Sequence, residues 1–184
     1  MNNLILKVGA VLIFITSFSA KVDKTLVLNF KSNSGITQLN KEIIAYVEKH
    51  GRSISPTYEK AVCTELVIGV LKNFIILTKE DKKRIRIITN VDVYALRAHD
   101  SPIPKGVYLA LTVNGKGIAI DTLKDVKPGD FVQFWYETWG HCGIVKKINL
   151  NEMTMDLYSS FPSTNGFGVQ NFNIPKECYF VRLK

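Results

Sequence analysis

Two side chains in this sequence have the types and surroundings for thiol chemistry. Cys63 opens an apolar stretch, Ala61-Val62-Cys63-Thr64-Glu65-Leu66-Val67-Ile68, and His141 sits far downstream in Trp139-Gly140-His141-Cys142-Gly143-Ile144-Val145. A thiol is a good nucleophile at neutral pH only when its pKa is lowered, and a helix N-terminus and a neighbouring imidazolium both lower it. A helix whose first turn holds Cys63 supplies the first influence through the partial positive charge of its dipole. His141 supplies the second if a strand carries it to the same place. On that strand His141, Gly143 and Val145 share one face, Cys142 and Ile144 the other, and Gly143 leaves space beside the imidazole. Each residue alone also has a plainer reading: Cys63 as a core thiol among Val62, Leu66 and Val67, and His141 as a satisfied histidine on a half-buried strand. His50 and His99 lie in polar settings and read as surface residues. Cys63, His141 and Cys142 lack the spacing of zinc ligands, so no metal or cofactor is expected.

The elements that must position these groups can be read from periodicity. Ile36, Leu39, Ile43, Ile44 and Val47 recur at helical spacing, and Gly51 reads as the stop signal. A loop over 52–58 holds Pro56. A second helix is predicted from about 58–61 to about 77, with Val62, Leu66, Val67, Val70, Leu71 and Phe74 as its core stripe. Thr78-Lys79-Glu80-Asp81 has the form of a capping box, so a short third helix follows. Beyond residue 91 the texture changes. Segments 107–111 and 117–120 flank Asn114-Gly115, although 118–121 need not be a strand. Lys127-Pro128-Gly129-Asp130 is a turn, and strands are predicted over 131–135, 141–148, 153–159 and 178–183. Residues 149–152 turn between two of them. The Gly, Asn and Ser-rich segment 162–172 reads as a loop, and 25–30 as a short strand or arm. Helices followed by a meander of strands indicate an α+β fold.

Length and composition narrow the class. The chain has 184 residues, enough for one ordinary domain, and its 46% hydrophobic and 22% charged residues exclude a disordered chain. Residues 1–20 run from a positive Lys7 through an apolar stretch to Ser17, Ser19 and Ala20, the order of a secretory signal peptide. That leaves 21–184 as a single domain, secreted or periplasmic. Export favours disulfides. With three cysteines, Cys142 and Cys178 either pair or remain buried thiols, and both readings leave Cys63 free. The net charge of +8 suits an anionic envelope polymer. The mixed-sign run over 79–86 reads as a solvated helix face, so nucleic acid is not expected as a partner.

These residues carry a resemblance. Ala-Val-Cys-Thr-Glu-Leu-Val over 61–67 resembles the Asp-Cys-Ser-Gly-Leu-Val segment of NlpC-type cell-wall peptidases. Residues 127–134, Lys-Pro-Gly-Asp-Phe-Val-Gln-Phe, resemble their Pro-Gly-Asp-Leu-Val-Phe-Phe strand. Residues 140–145, Gly-His-Cys-Gly-Ile-Val, resemble their Gly-His-Val-Gly-Ile-Tyr strand. The related CHAP amidases share this papain-like order, and the resemblance spans roughly 56–172. It implies N-terminal helices packed on an antiparallel, barrel-like sheet, and a monomeric thiol hydrolase of amide bonds in peptidoglycan peptides. Cys63 is then the nucleophile and His141 the base. A polar residue on the next strand orients the imidazole; Tyr158, Ser159 and Ser160 are the candidates, with Ser159 favoured. Tyr58 is a candidate for supporting the oxyanion or substrate, and Trp139, Tyr136, Phe161 and Asn165 flank the cleft. Thr64-Glu65 replaces the family's Ser-Gly, bringing the Glu65 carboxylate near the substrate. The competing expectations are a non-catalytic envelope-binding module and an acyl transferase on the same fold.

Overall fold

The computed structural model describes residues 35–184, so the expected signal segment and the arm at 25–30 lie outside the described residues. Helix α1 spans Gln38–Ile54. Its start is fixed by Thr37, whose hydroxyl accepts from the Asn40 N–H at 3.0 Å. Ile43 and Val47 form its buried stripe. Gly51 does not stop the helix. It lies buried inside α1, where an added Cβ would meet the Phe167 ring at 2.4 Å, so the glycine serves a close approach.

Helix α2 is shorter than its apolar pattern suggests, covering Cys63–Leu71. Residues 58–60 form a turn instead, and Val62 in extended conformation is the N-cap. Cys63 is therefore the first helical residue. Helix α3, Lys79–Ile85, carries the expected reciprocal capping box between Thr78 and Asp81. Asp92 caps α4, Val93–Ala98, which the sequence pattern does not reveal. Segment 107–111 is not a strand but most of α5, Gly106–Thr112. Its buried Val107, Ala110 and Leu111 follow the three-and-four spacing of a helix.

Six strands follow: β1 Gly117–Ile120, β2 Phe131–Trp135, β3 Gly140–Asn149, β4 Thr154–Phe161, β5 Gly166–Asn173 and β6 Glu177–Leu183. They form one antiparallel sheet in the order β1-β6-β2-β3-β4-β5. The architecture is α+β, N-terminal helices on a six-strand sheet. The sheet is not closed into a barrel, because β1 and β5 are its two edges and do not pair. Strand β5 occupies much of the segment expected to be a loop. Gly166, with φ +103°, would drive a Cβ to 2.7 Å from the Ser55 carbonyl oxygen. Gly51 thus marks close packing, whereas Gly166 combines close packing with a backbone conformation that favours glycine.

Both faces of the sheet are covered. On one, α1, α2, α3 and α5 bury Phe131, Cys142, Ile144, Tyr158 and Val181. On the other, Val132, Phe134, Val145, Leu157, Phe172 and Phe180 form a second core. Strand β2 is buried at every position, which explains why its apolar run does not alternate. No described helix is long and apolar enough to cross a membrane.

Candidate active site

The start of α2 is anchored from behind. Val62 offers no side chain to cap the helix. The carbonyl oxygen of Ala61, two residues before Cys63, accepts from Ser160 Oγ on β4 at 2.5 Å and lies 2.7 Å from Ser55 Oγ. The two hydroxyls are themselves 2.8 Å apart and fully buried. The end of α1, the start of α2 and β4 are thus tied at one point. In the first turn of α2 the N–H groups of Glu65 and Leu66 bond the Val62 carbonyl, which leaves those of Cys63 and Thr64 as donors available to a developing negative charge.

His141 comes from the opening of β3. Its ring lies on the side of the second core, packed edge-on to Phe134 at 5.6 Å and Phe161 at 5.1 Å, with Phe172 at 5.3 Å. It is 3% exposed, and its Nε2 is buried without a hydrogen-bond partner. Cys142, the next residue, faces the helices and packs near Cys63. At the end of the β2–β3 hairpin the two sides meet: Cys63, Arg86, Gln133, Trp135, His141 and Cys142 line one cleft of about 280 Å³.

In that cleft the Cys63 thiol is held well below its ordinary pKa. The Cys142 thiol is the largest cause, burial opposes it, and the His141 imidazole and the Cys142 N–H add to the lowering. The reciprocal effect raises Cys142: the Cys63 sulfur takes the hydrogen bond, and burial favours the neutral thiol. Tyr58 is also pushed up, by burial first and then by the negative character of Cys63 and Cys142. Tyr58 is not among the residues that line the cleft.

The remaining expected site residues separate. The Glu65 carboxylate is not free for substrate: Arg86 donates to it from Nε at 2.6 Å and from a terminal nitrogen at 3.0 Å. That pairing holds the Glu65 pKa down, and Arg86 rather than Glu65 lines the cleft. Trp139 lies on the far side of His141, with ring centroids 6.3 Å apart. There it lines a larger cleft of about 810 Å³ with Tyr136, Phe161 and Phe172. That cleft contains no cysteine or histidine, whereas the smaller one brings Cys63, Cys142 and His141 together. Ser159 is on the sheet face of His141, since a Cβ on Gly143 would lie 3.3 Å from Ser159 Cβ. Its buried hydroxyl makes no hydrogen bond to His141 or to any other group among the described residues. Tyr158 instead donates to Glu48, and Ser160 to Ala61, both on the helix side.

Three residues of the site carry weak sequence signals. Gln133 is the single polar residue of Phe131-Val132-Gln133-Phe134-Trp135, and it is buried with an unpartnered Oε1. Cys142 adjoins the histidine but reads as core. Arg86 is hidden in a run of mixed charge. The paired Cys142–Cys178 reading is excluded: Cys142 belongs to the helix-side core, whereas Cys178 stands opposite Phe134 and packs against the second core. Among the described residues there is no group of three or more His, Cys, Asp or Glu able to hold a metal ion. Comparison with known proteins finds no matching family model, curated protein or solved structure.

Proposed function

We propose that this protein is an exported cysteine hydrolase of NlpC-type, papain-like architecture that cleaves amide bonds in peptidoglycan peptides. One observation carries the reading: a thiol of lowered pKa, at the first position of a helix, shares a cleft with an imidazole. The Cys63 thiolate attacks the amide carbonyl, and His141 takes the thiol proton and returns it to the leaving amine. The helix-start N–H groups face the charge that develops on the carbonyl oxygen. Water then cleaves the thioester, releasing a carboxylate and restoring the thiol. The net charge of +8 supports an anionic polymer as substrate. No metal or cofactor takes part in these steps.

The test is digestion of purified cell wall under reducing conditions, with free amines as the readout. The wild type releases new amines, and Cys63→Ser releases almost none. No release from a reduced, folded wild type overturns the hydrolytic reading. A second reading, a non-catalytic envelope-binding module, is favoured by the lack of any hydrogen bond from Ser159 to His141. It requires wall binding without amine release. Transfer of the acyl group to an added amine, in place of hydrolysis, would identify the transferase.

A further inference from the structure

The Cys142 thiol forms no bond to substrate in the proposed hydrolysis, yet it sits beside Cys63 in the same cleft. Cys142 is 1% exposed and lies in the core against which Cys63 packs, and both cysteines border the same cleft. Cys178 is the other candidate partner, and it packs on the opposite side of the sheet. We propose that Cys63 is a reversible oxidation site with Cys142 as its resolving thiol, the Cys63–Cys142 disulfide holding the nucleophile inactive. This rests on the reactive Cys63 of the hydrolase reading but not on the substrate assigned to it.

Access sets the order of events. Cys63 is partly exposed at the cleft and Cys142 is buried, so a small oxidant such as a peroxide meets Cys63 first. The Cys63 thiolate attacks one peroxide oxygen, the O–O bond breaks, and the departing oxygen leaves as water after taking a proton. Cys63 is now a sulfenic acid. The Cys142 sulfur attacks the Cys63 sulfur, the S–O bond breaks, and the second water carries away the Cys142 proton. Two electrons have passed from the thiol pair to the peroxide. The Cys63 thiolate is the main influence that keeps Cys142 protonated. A sulfenic acid is neutral, so the first step removes the largest of these influences and leaves burial. A dithiol reductant reverses the bond by thiol–disulfide exchange.

Hydrogen peroxide titration of the intact, reduced protein tests this by mass and by peptide mapping. The wild type loses two hydrogens, the Cys63 and Cys142 peptides become linked, and dithiothreitol restores alkylation of Cys63. Cys178→Ser forms the same link. Cys142→Ser forms none and carries Cys63 on to a sulfinic acid that dithiothreitol does not reverse. A link to Cys178, a link between chains, or equal sulfinic acid in wild type and Cys142→Ser overturns the proposal. Should Cys142→Ser fail to fold, Cys142→Val takes its place, and should both fail, the wild-type map decides alone. The readout needs no wall. A reduced protein that forms the link but releases no amines loses only the hydrolase reading, and an active one that forms no link loses only this proposal.

Discussion

Ser160, on β4, donates to the carbonyl oxygen of Ala61 across a separation of 99 residues, and this bond ties the residue before the α2 N-cap to the sheet. Ser160→Ala leaves that buried oxygen with Ser55 alone. Unfolding in denaturant is expected to show a loss of about 1–3 kcal/mol, the cost of an under-satisfied buried polar group. Alkylation of Cys63 should slow as well, because the helix start is no longer fixed. A variant losing stability with an unchanged alkylation profile would show that the anchor does not position the thiol.

The pH profile of Cys63 follows from its neighbours. Its pKa is depressed in the fold, so alkylation should persist clearly below the free-cysteine value of about 8.5. Cys142→Ala and His141→Ala are each expected to move the profile upward, because the Cys142 thiol and the His141 imidazole both lower the Cys63 pKa. Stability takes the same sign. A depressed folded pKa contributes stability above the unfolded value, and that contribution is lost as pH falls through the folded pKa. Alkylation rates across pH, with denaturant midpoints at matching pH, check both statements.

Ser159 tests the third catalytic position. Its hydroxyl is buried and unpartnered, so Ser159→Ala should cost little stability and can raise it. If a hydroxyl orients the imidazole during turnover, the rate of amine release falls, but far less than in Cys63→Ala. Equal loss in the two variants would contradict this weak orienting role.

Gly51 separates two opposing effects. Alanine is favoured over glycine inside a helix by about 1 kcal/mol. Here the new methyl meets three Phe167 ring atoms at 2.4–2.5 Å, and overpacking of a filled core costs about 1–3 kcal/mol. Gly51→Ala is therefore expected to be net destabilising by up to about 2 kcal/mol in thermal or chemical unfolding. A stabilised variant would mean that Phe167 moves aside freely.

The parts visible in the sequence are those governed by local chemistry. The Thr78–Asp81 capping box is a short-range exchange of hydrogen bonds and appears where its residues predict it. The strand bearing His141 and Cys142 alternates between two cores as its pattern implies. The misread parts depend on distant partners. Gly51 looks like a terminator until Phe167 is placed against it, and Gly166 looks like loop until Ser55 is seen beneath it. Segment 107–111 is apolar enough for either element, and the burial of Val107, Ala110 and Leu111 under the sheet decides for a helix. Glu65 reads as a free carboxylate because nothing local announces Arg86, which reaches it from 21 residues away. Cys142 illustrates the same limit within the site: its proximity to Cys63 depends on α2 and β3 packing together.

The position of β6 has a consequence for how the chain matures. It separates β1 from β2, pairing with both. Until Glu177–Leu183 has left the ribosome, β1 has no neighbour and β2 offers a bare edge along residues that are buried in the finished sheet. Arg182 of the same strand also supplies two charged donors to the buried carboxylate of Asp130, so that carboxylate lacks its cationic partner for as long. The sheet is complete only once β6 has inserted between β1 and β2. Pairing of β1 and of the second edge of β2 therefore waits on β6, and a chain halted before Glu177 leaves β1 unpaired and that edge of β2 bare.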